Sequence, residues 1–567
     1  MQAASFSAIG TRGRVALVVL VCVFSFFVHL GQAEVNLMEA RNFVAAREMA
    51  AGGSWLIPTM NGTLRLAKPP LPTWAVATVI KLTQQPANPA LLRLPAALAS
   101  TLLVFFFWGL MRELTRHLPG EAEAPGRTAW LAALVLASSL LLITVGREGQ
   151  WDIFANSLLV GTLWALARGW HAARGGGRWF ALSGLLLGGA ILSKGPVTPY
   201  AMLLPFLLAF GLPRLYPARG PLTPARRLGL GLLAALGLLL GLAWPAYLAV
   251  QDTVAPAVLA VARLETSSWL VRHSRPFWDY WNFPVFVGIW APVALAALVV
   301  PFARPRAGRY VPYAAGLAWL LLSLLLLSLV PEKKERYMLP LIPPLALLMA
   351  GLLRHFETAT ALRQQPAPRP EARLLRVWAA LLAVVFTLIP VALALAKVPG
   401  YGPGTLPFGL TAVLLPALAV YAGWQLRRGP QPMALMGVSI VAMAVLLALL
   451  LPAHATWTER KTDPGLRRAE ALQHNPALAR LPWYTLEELH MKQVWRAGRA
   501  TPAWPRTSDS VLVRPTRPLA VLTGADVATQ LPAAWRAEMR LRVVDSFYLD
   551  RTREAGYWRV TIVEPAE

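Results

Sequence analysis

Apolar runs recur along this chain, most of them near the roughly 18 residues that a helix needs to cross ~30 Å of hydrocarbon. They lie at 14–31, 92–110, 128–145, 153–168, 180–193, 196–212, 228–249, 284–303, 311–331, 338–353, 375–396, 408–425 and 434–452. Lipid offers backbone amides no partners, so each run must satisfy its own hydrogen bonds, and consecutive apolar runs do this as helices. The expected fold is a polytopic α-helical membrane protein of about 13 transmembrane helices. The fourth and fifth runs are short and are expected to tilt or to be shielded by protein. Only 14% of the 567 residues are charged and 56% are hydrophobic. A soluble protein carries charge at about a quarter of its positions, so a purely soluble fold is excluded.

A net charge of +26 would point to nucleic acid in a soluble protein. Here the excess concentrates in loops assigned to one side, and no nucleic-acid partner is expected. With the N-terminus cytoplasmic, the inner loops are 111–127, 168–178, 213–227, 304–309, 354–376 and 427–432, all rich in Arg. The N-terminal apolar run is expected to stay as an anchor rather than be cleaved as a signal peptide. Cys22, the single cysteine, lies within it and rules out an internal disulfide.

Thirteen crossings leave the C-terminus outside, together with three long segments, 32–91, 250–283 and 453–567. The alternating stretches 510-SVLVRP-515, 518-PLAVLTG-524, 540-RLRVVDSFYL-549 and 557-YWRVTIVE-564 are expected as strands, with a short helix in 524–535. This divides the chain into a membrane domain, 1–454, whose first outer loop 32–91 carries helices at the membrane edge, and a small soluble α/β domain, 455–567.

Charges on the outer side run against the orientation bias and need another cause. The first loop supplies Glu39, Arg41, Arg47, Glu48, Arg65 and Lys68; the turn 146-GREGQWD-152 supplies Arg147, Glu148 and Asp152. Lys194 precedes a Gly-Pro break, 263–275 holds Arg263, Glu265, Arg272, His273 and Arg275, and 331–344 holds Lys333, Lys334, Arg336 and Tyr337. Clustered Arg and Lys suit a phosphate or pyrophosphate. Carboxylates beside them suit acid–base work or charge developing on a sugar. The natural ligand is a lipid-linked phosphosugar.

Taken singly, each charge has a plainer reading as a paired or solvated loop residue. Glu39 near a helix start is favoured by the helix dipole whatever its role. In a helix over 38–50, Glu39 and Arg41 are about 200° apart and do not share a face. The aromatics of PFWDYW read first as an interfacial belt. No metal site is expected, since HExxH and paired Cys/His spacings are absent from the sequence. No cofactor is expected, and the scattered carboxylates leave a divalent cation open.

Three stretches, 39-EARNFVAAREM-49 with 54-SWLIPTMNG-62, 65-RLAKPPLPTW-74 and 336-RYMLPLIPP-344, together with Asp152 and 193-SKGP-196, resemble bacterial integral-membrane glycosyltransferases of the GT-C class. That family includes protein O-mannosyltransferases and the lipid A aminoarabinose transferase. The resemblance implies a GT-C fold and a polyprenyl-phosphate sugar donor. It implies that Lys68 and Lys194 contact the lipid phosphate, with an Arg drawn from Arg263, Arg272 and Arg275, and that Tyr337 lies beside the leaving phosphate. Asp152 would be one essential carboxylate and Glu39 the other, with Arg41 and His273 in support. Two positions depart: Met38 stands where the family usually has Asp, and Ala67 where many members have Glu.

The resulting expectation is transfer of a sugar from polyprenyl phosphate to an envelope acceptor (lipid A, glycan or protein) at the periplasmic face of a bacterial inner membrane. A non-catalytic transporter or flippase, or a silent binding partner, is the alternative. A transporter, however, needs ionisable residues along a crossing path, and these spans hold few.

Overall fold

The computed structural model describes residues 10–196, 199–252, 254–258, 260, 274–361, 369–453, 468, 470–508, 511–548 and 556–566. A helix or a run of adjoining helices occupies every apolar segment named above. Among the described residues seven helices are long and apolar enough to cross a membrane, and eight if one bent pair is a single span. That pair, Arg127–Ala137 and Leu140–Gly146, bends by 60°. The cause is local: Ser138 and Ser139 at the break turn their hydroxyls back onto Leu134 O (2.6 Å) and Val135 O (2.7 Å).

The chain forms two compact units. The first comprises Met1–Leu30, Ala67–Pro72 and Arg93–Leu451; the second comprises Gly31–Leu66, Thr73–Leu92 and Pro452–Glu567.

In the first unit, the helices Gly176–Lys194 and Pro224–Ala249 pack closely because glycines line their contact. A Cβ on Gly184 would come within 2.8 Å of Leu233 O, and one on Gly241 within 2.8 Å of Ile191 Cβ. Small residues allow such approach where lipid gives helices no hydrophobic reason to associate. The described residues of the six arginine-rich loops gather at one end of this unit. Arg168 and Arg116 share Glu113 (2.9 and 3.1 Å), and Trp170 Nε1 donates to Arg219 O (2.7 Å). Arg309 pairs with Glu123 (2.5 Å), Arg306 with Glu371 (2.7 Å) and Arg127 with Glu357 (2.5 Å), while Arg127 also reaches Met433 Sδ. The orientation pattern in the sequence thus corresponds to one physical end of the helices.

The second unit is built around a sheet of order β3-β4-β6-β5, with β3 Trp483–Tyr484, β4 Leu519–Thr523, β5 Met539–Tyr548 and β6 Tyr557–Pro565. A separate hairpin, β1 Thr59–Met60 with β2 Thr63–Leu64, precedes it in the chain. All five residues of β4 are buried, since both sheet faces are covered. Leu519, Val521 and Val563 face a core with Trp504 and Leu531, whereas Ala520, Leu522, Val560 and Ile562 face one containing Phe43, Val44 and Trp495. The described residues of 510–515 form no strand and have one isolated bridge, Arg506 to Leu512. They end at Pro515 and bury only Leu512, too little to hold a ladder position.

The sequence reading attaches the loop 32–91 to the membrane domain, yet most of it packs with the C-terminal region as one unit. The helix Leu37–Ala50 explains why: Phe43 meets the Trp495 ring at 5.4 Å and Arg47 donates to Val494 O at 3.1 Å. Burial pulls the Arg47 guanidinium down to about 10. Glu48 clasps the small hairpin by accepting from Thr59 Oγ1 and Asn61 N (both 2.6 Å), and Asn61 in turn exchanges two bonds with the Thr501 backbone. Glu48→Ala is expected to lower stability by about 1–2 kcal/mol, read as a drop in the thermal midpoint, because it leaves those donors without an acceptor.

Candidate active site

Asp152 occupies the first turn of the helix Trp151–His171, where the helix dipole favours a carboxylate, and it is 3% exposed. The other ends that meet it come from two different helices. Lys194 is the last residue of Gly176–Lys194 and gives its ammonium to Asp152 Oδ1 at 2.5 Å. Arg336, in the 3-10 turn Glu335–Leu341, lies with Nε 3.4 Å from Asp152 Oδ2. Each carboxylate oxygen therefore faces one cation. Tyr337 places its ring 4.4 Å from Lys194 Nζ and 5.4 Å from Arg336 Cζ. With Lys334 Nζ at 5.7 Å, three cations lie over the one ring and add to a locally positive field that the Asp152 carboxylate partly offsets.

Lys194 ends its helix because Gly195 follows with φ +85° and ψ −169°, a conformation that side-chain-bearing residues avoid. The 331–337 segment is fixed from beneath. Lys333 is buried and donates to Ser328 O (3.0 Å) and Val330 O (2.7 Å), filling the unsatisfied carbonyls at the end of the helix Tyr313–Leu329. Burial pulls its ammonium below the usual lysine value. Tyr280 Oη accepts from Lys334 N at 3.2 Å, and Arg275 N donates to Pro331 O at 3.2 Å. The 274–280 and 331–337 segments thus run together beside the Asp152 cluster. Arg275 itself pairs with Asp279 at 3.7 Å, and Lys334 with Glu332.

Of the residues singled out in the sequence, Asp152, Lys194 and Tyr337 meet directly, and Arg275 lies on the neighbouring segment. Lys68 is half-buried in Ala67–Pro72, part of the same unit. Arg263, Arg272 and His273 lie outside the described residues. Arg147 serves the scaffold, donating to Ser25 O (3.0 Å) and Val28 O at the end of the first helical segment. Arg336 is the residue that sequence reasoning left out of the site, although it opens the RYMLPLIPP motif.

Glu39 and Arg41 belong to the second unit. Glu39 is fully buried and closes a capping box: Asn36 Oδ1 accepts from Glu39 N (3.0 Å), and Glu39 Oε2 accepts from Asn36 N (3.1 Å). Arg41 is half-buried, with Nη1 3.9 Å from Met38 Sδ, so the two side chains differ in setting as the helical period requires.

Comparison with known proteins places the chain among glycosyltransferases. Residues 67–232 match the dolichyl-phosphate-mannose-protein mannosyltransferase family, and residues 272–406 match the Alg9-like mannosyltransferase family. An undecaprenyl phosphate-alpha-4-amino-4-deoxy-L-arabinose arabinosyl transferase of Pseudomonas paraeruginosa is 30% identical over 464 residues, 76% of this chain and 74% of the relative. A protein of the same description from Sodalis glossinidius is 28% identical over 379 residues, covering 61% and 60%. Among solved structures, ArnT from Cupriavidus metallidurans bound to undecaprenyl phosphate superposes with a TM-score of 0.70 over 98% of both chains at 19% identity. At that identity the likeness is one of fold.

Proposed function

The chain belongs to the family of undecaprenyl phosphate-4-amino-4-deoxy-L-arabinose arabinosyl transferases, and from that premise we propose which residues carry the transfer and on which face it occurs. The protein is a multi-pass glycosyltransferase of GT-C fold in a bacterial inner membrane, and its donor is a polyprenyl-phosphate-linked sugar. The reaction runs at the periplasmic face, with thirteen crossings, a cytoplasmic N-terminus and the region 455–567 as a periplasmic domain. The acceptor is a lipid or glycan of the envelope, with lipid A the first choice because the chain resembles the lipid A aminoarabinose transferase. Membrane lipids surround the helices.

The observation that carries this reading is the Asp152–Lys194–Arg336–Tyr337 cluster. In an inverting transfer the acceptor oxygen attacks the anomeric carbon as the bond to the phosphate oxygen breaks. Negative charge then grows on the departing polyprenyl phosphate. Lys194 and Lys68, with one Arg of Arg263, Arg272 and Arg275, bind that phosphate, and Tyr337 stands beside it. Asp152, held between two cations, activates or orients the acceptor nucleophile. Glu39 is the second essential carboxylate on the strength of the resemblance, with Arg41 and His273 in support.

Met38 and Ala67 remove two carboxylates that the family usually carries in this loop. The donor is therefore proposed to be a sugar whose recognition does not depend on an ammonium group. Release of free polyprenyl phosphate from a labelled donor, measured with and without acceptor, tests the reading. Acceptor-dependent release is expected; movement of intact donor across vesicles without release would mark a transporter.

Glu39→Gln separates catalysis from capping, because Gln serves equally well in a capping box. Transfer is expected to fall by about a hundredfold or more with the thermal midpoint unchanged. Normal turnover in Glu39→Gln, with destabilisation in Glu39→Ala, would reduce Glu39 to a helix cap.

A further inference from the structure

At the arginine-rich end of the helical unit lies a cavity of about 200 Å³, bounded by the ends of the helices Pro89–Thr115, Trp151–His171 and Leu204–Gly211 and by the start of Pro224–Ala249. Asp152 and His171 sit near opposite ends of one helix, on the order of 30 Å apart at 1.5 Å per residue, so this cavity is remote from the Asp152 cluster.

Its walls are graded. Phe206, Leu166 and Leu230 form the part that runs into the helices, while His171, Tyr216 and Arg219 form the part next to the loops. The polar part is unsatisfied. Tyr216 is 5% exposed, and its hydroxyl has no hydrogen-bond partner. The His171 side chain is 6% exposed, and neither ring nitrogen makes a hydrogen bond; Glu113 Oε2, 3.1 Å from Arg116 Nη1 but itself without a hydrogen bond, lies 3.9 Å from Nδ1. Buried polar groups in proteins nearly always find partners, so the orphaned Tyr216 hydroxyl, at one end of an apolar cavity with the His171 ring 6.3 Å from its own, points to a ligand that brings an acceptor there.

Charge narrows the class. The segment 213–227 contains Arg214, Arg219, Arg226 and Arg227 and no acidic residue. Arg226 donates to the carbonyls of Trp170 (3.1 Å) and Pro221, and both Arg219 and Arg226 lie over the Trp170 ring at 5.7 and 5.1 Å. Glu113 is shared by Arg168 and Arg116, and among the described residues no carboxylate forms an ion pair with Arg219.

We propose that this cavity binds an anionic phospholipid of the leaflet remote from Asp152. One acyl chain lies along Phe206, Leu166 and Leu230, an ester carbonyl accepts from Tyr216 or His171, and the headgroup phosphate meets Arg219. The polarity gradient follows that of the lipid, and a space of this size takes a segment of one chain rather than a free hydrophilic ligand.

The test is native mass spectrometry of the full-length, delipidated protein in detergent. It is titrated with phosphatidylglycerol, with phosphatidylethanolamine of the same chains, or with inorganic phosphate. Phosphatidylglycerol is expected to bind about tenfold more tightly than phosphatidylethanolamine, as one charge-assisted contact would give. Arg219→Gln is expected to erase that preference, and Tyr216→Phe to weaken retention of both lipids. The Tyr216→Phe variant changes a single hydroxyl and carries the test should Arg219→Gln lower the yield of folded protein. Equal binding of the two lipids, or a preference and retention unchanged in both variants, would overturn the proposal. So would displacement of phosphatidylglycerol by millimolar phosphate, which would mark a free-anion site.

Discussion

Asp152→Asn is expected to lower sugar transfer by at least about a hundredfold while the protein still inserts and folds. The substitution keeps the shape of the side chain and removes only its charge. Lys194 Nζ at 2.5 Å and Arg336 Nε at 3.4 Å would then lose the anion that holds them on opposite oxygens. Two cations left together repel and swing apart, and the phosphate of the donor meets them in altered positions. Breaking a fully buried ion pair costs about 3–5 kcal/mol. Here Arg336 is 21% and Lys194 12% exposed, so water screens part of the imbalance and a loss of about 1–3 kcal/mol is expected. Transfer assays beside thermal unfolding in detergent distinguish the two effects. Near-normal turnover in a folded Asp152→Asn protein would remove Asp152 from the site.

Much of this arrangement is legible in sequence for a physical reason. Apolar runs force helices, and loop arginines mark one membrane side, so the ends of each helix are known before any packing is. Asp152, Lys194 and Tyr337 stand at helix ends assigned to the same side, and they do meet. Arg336 was harder to choose because 333-KKER-336 offers three cations within four residues. Which of them faces Asp152 depends on the turn that follows: Lys333 is spent on the carbonyls of Ser328 and Val330, and Lys334 on Glu332. No periodicity encodes that division. The packing of Leu37–Ala50 was hidden for another reason. Its core partners, Trp495, Leu522 and Ile562, lie more than four hundred residues further along, and a helix that is apolar on one face does not name the sheet that covers it. Likewise Glu48, a charge among several in the same loop, is distinguished only by the hairpin folded onto it.

Lys194→Met carries the second large effect, and it distinguishes phosphate binding from mere neutralisation of Asp152. The ammonium lies between the Asp152 carboxylate and the Tyr337 ring, at a helix end fixed by Gly195. If it contacts the donor phosphate, its loss is expected to raise KM for the donor and to lower kcat/KM by about a hundredfold to a thousandfold. Lys194→Arg should recover part of this, since a guanidinium also donates to carboxylate and phosphate but with a different reach. The double variant Asp152→Asn/Lys194→Met supplies the control. Removing both members restores local charge balance, so its thermal midpoint is expected to exceed that of Asp152→Asn alone, while transfer stays lost. Recovered stability without recovered transfer assigns the pair to the reaction. If transfer recovered with stability, the two residues would be a structural ion pair, and the phosphate would have to be held elsewhere.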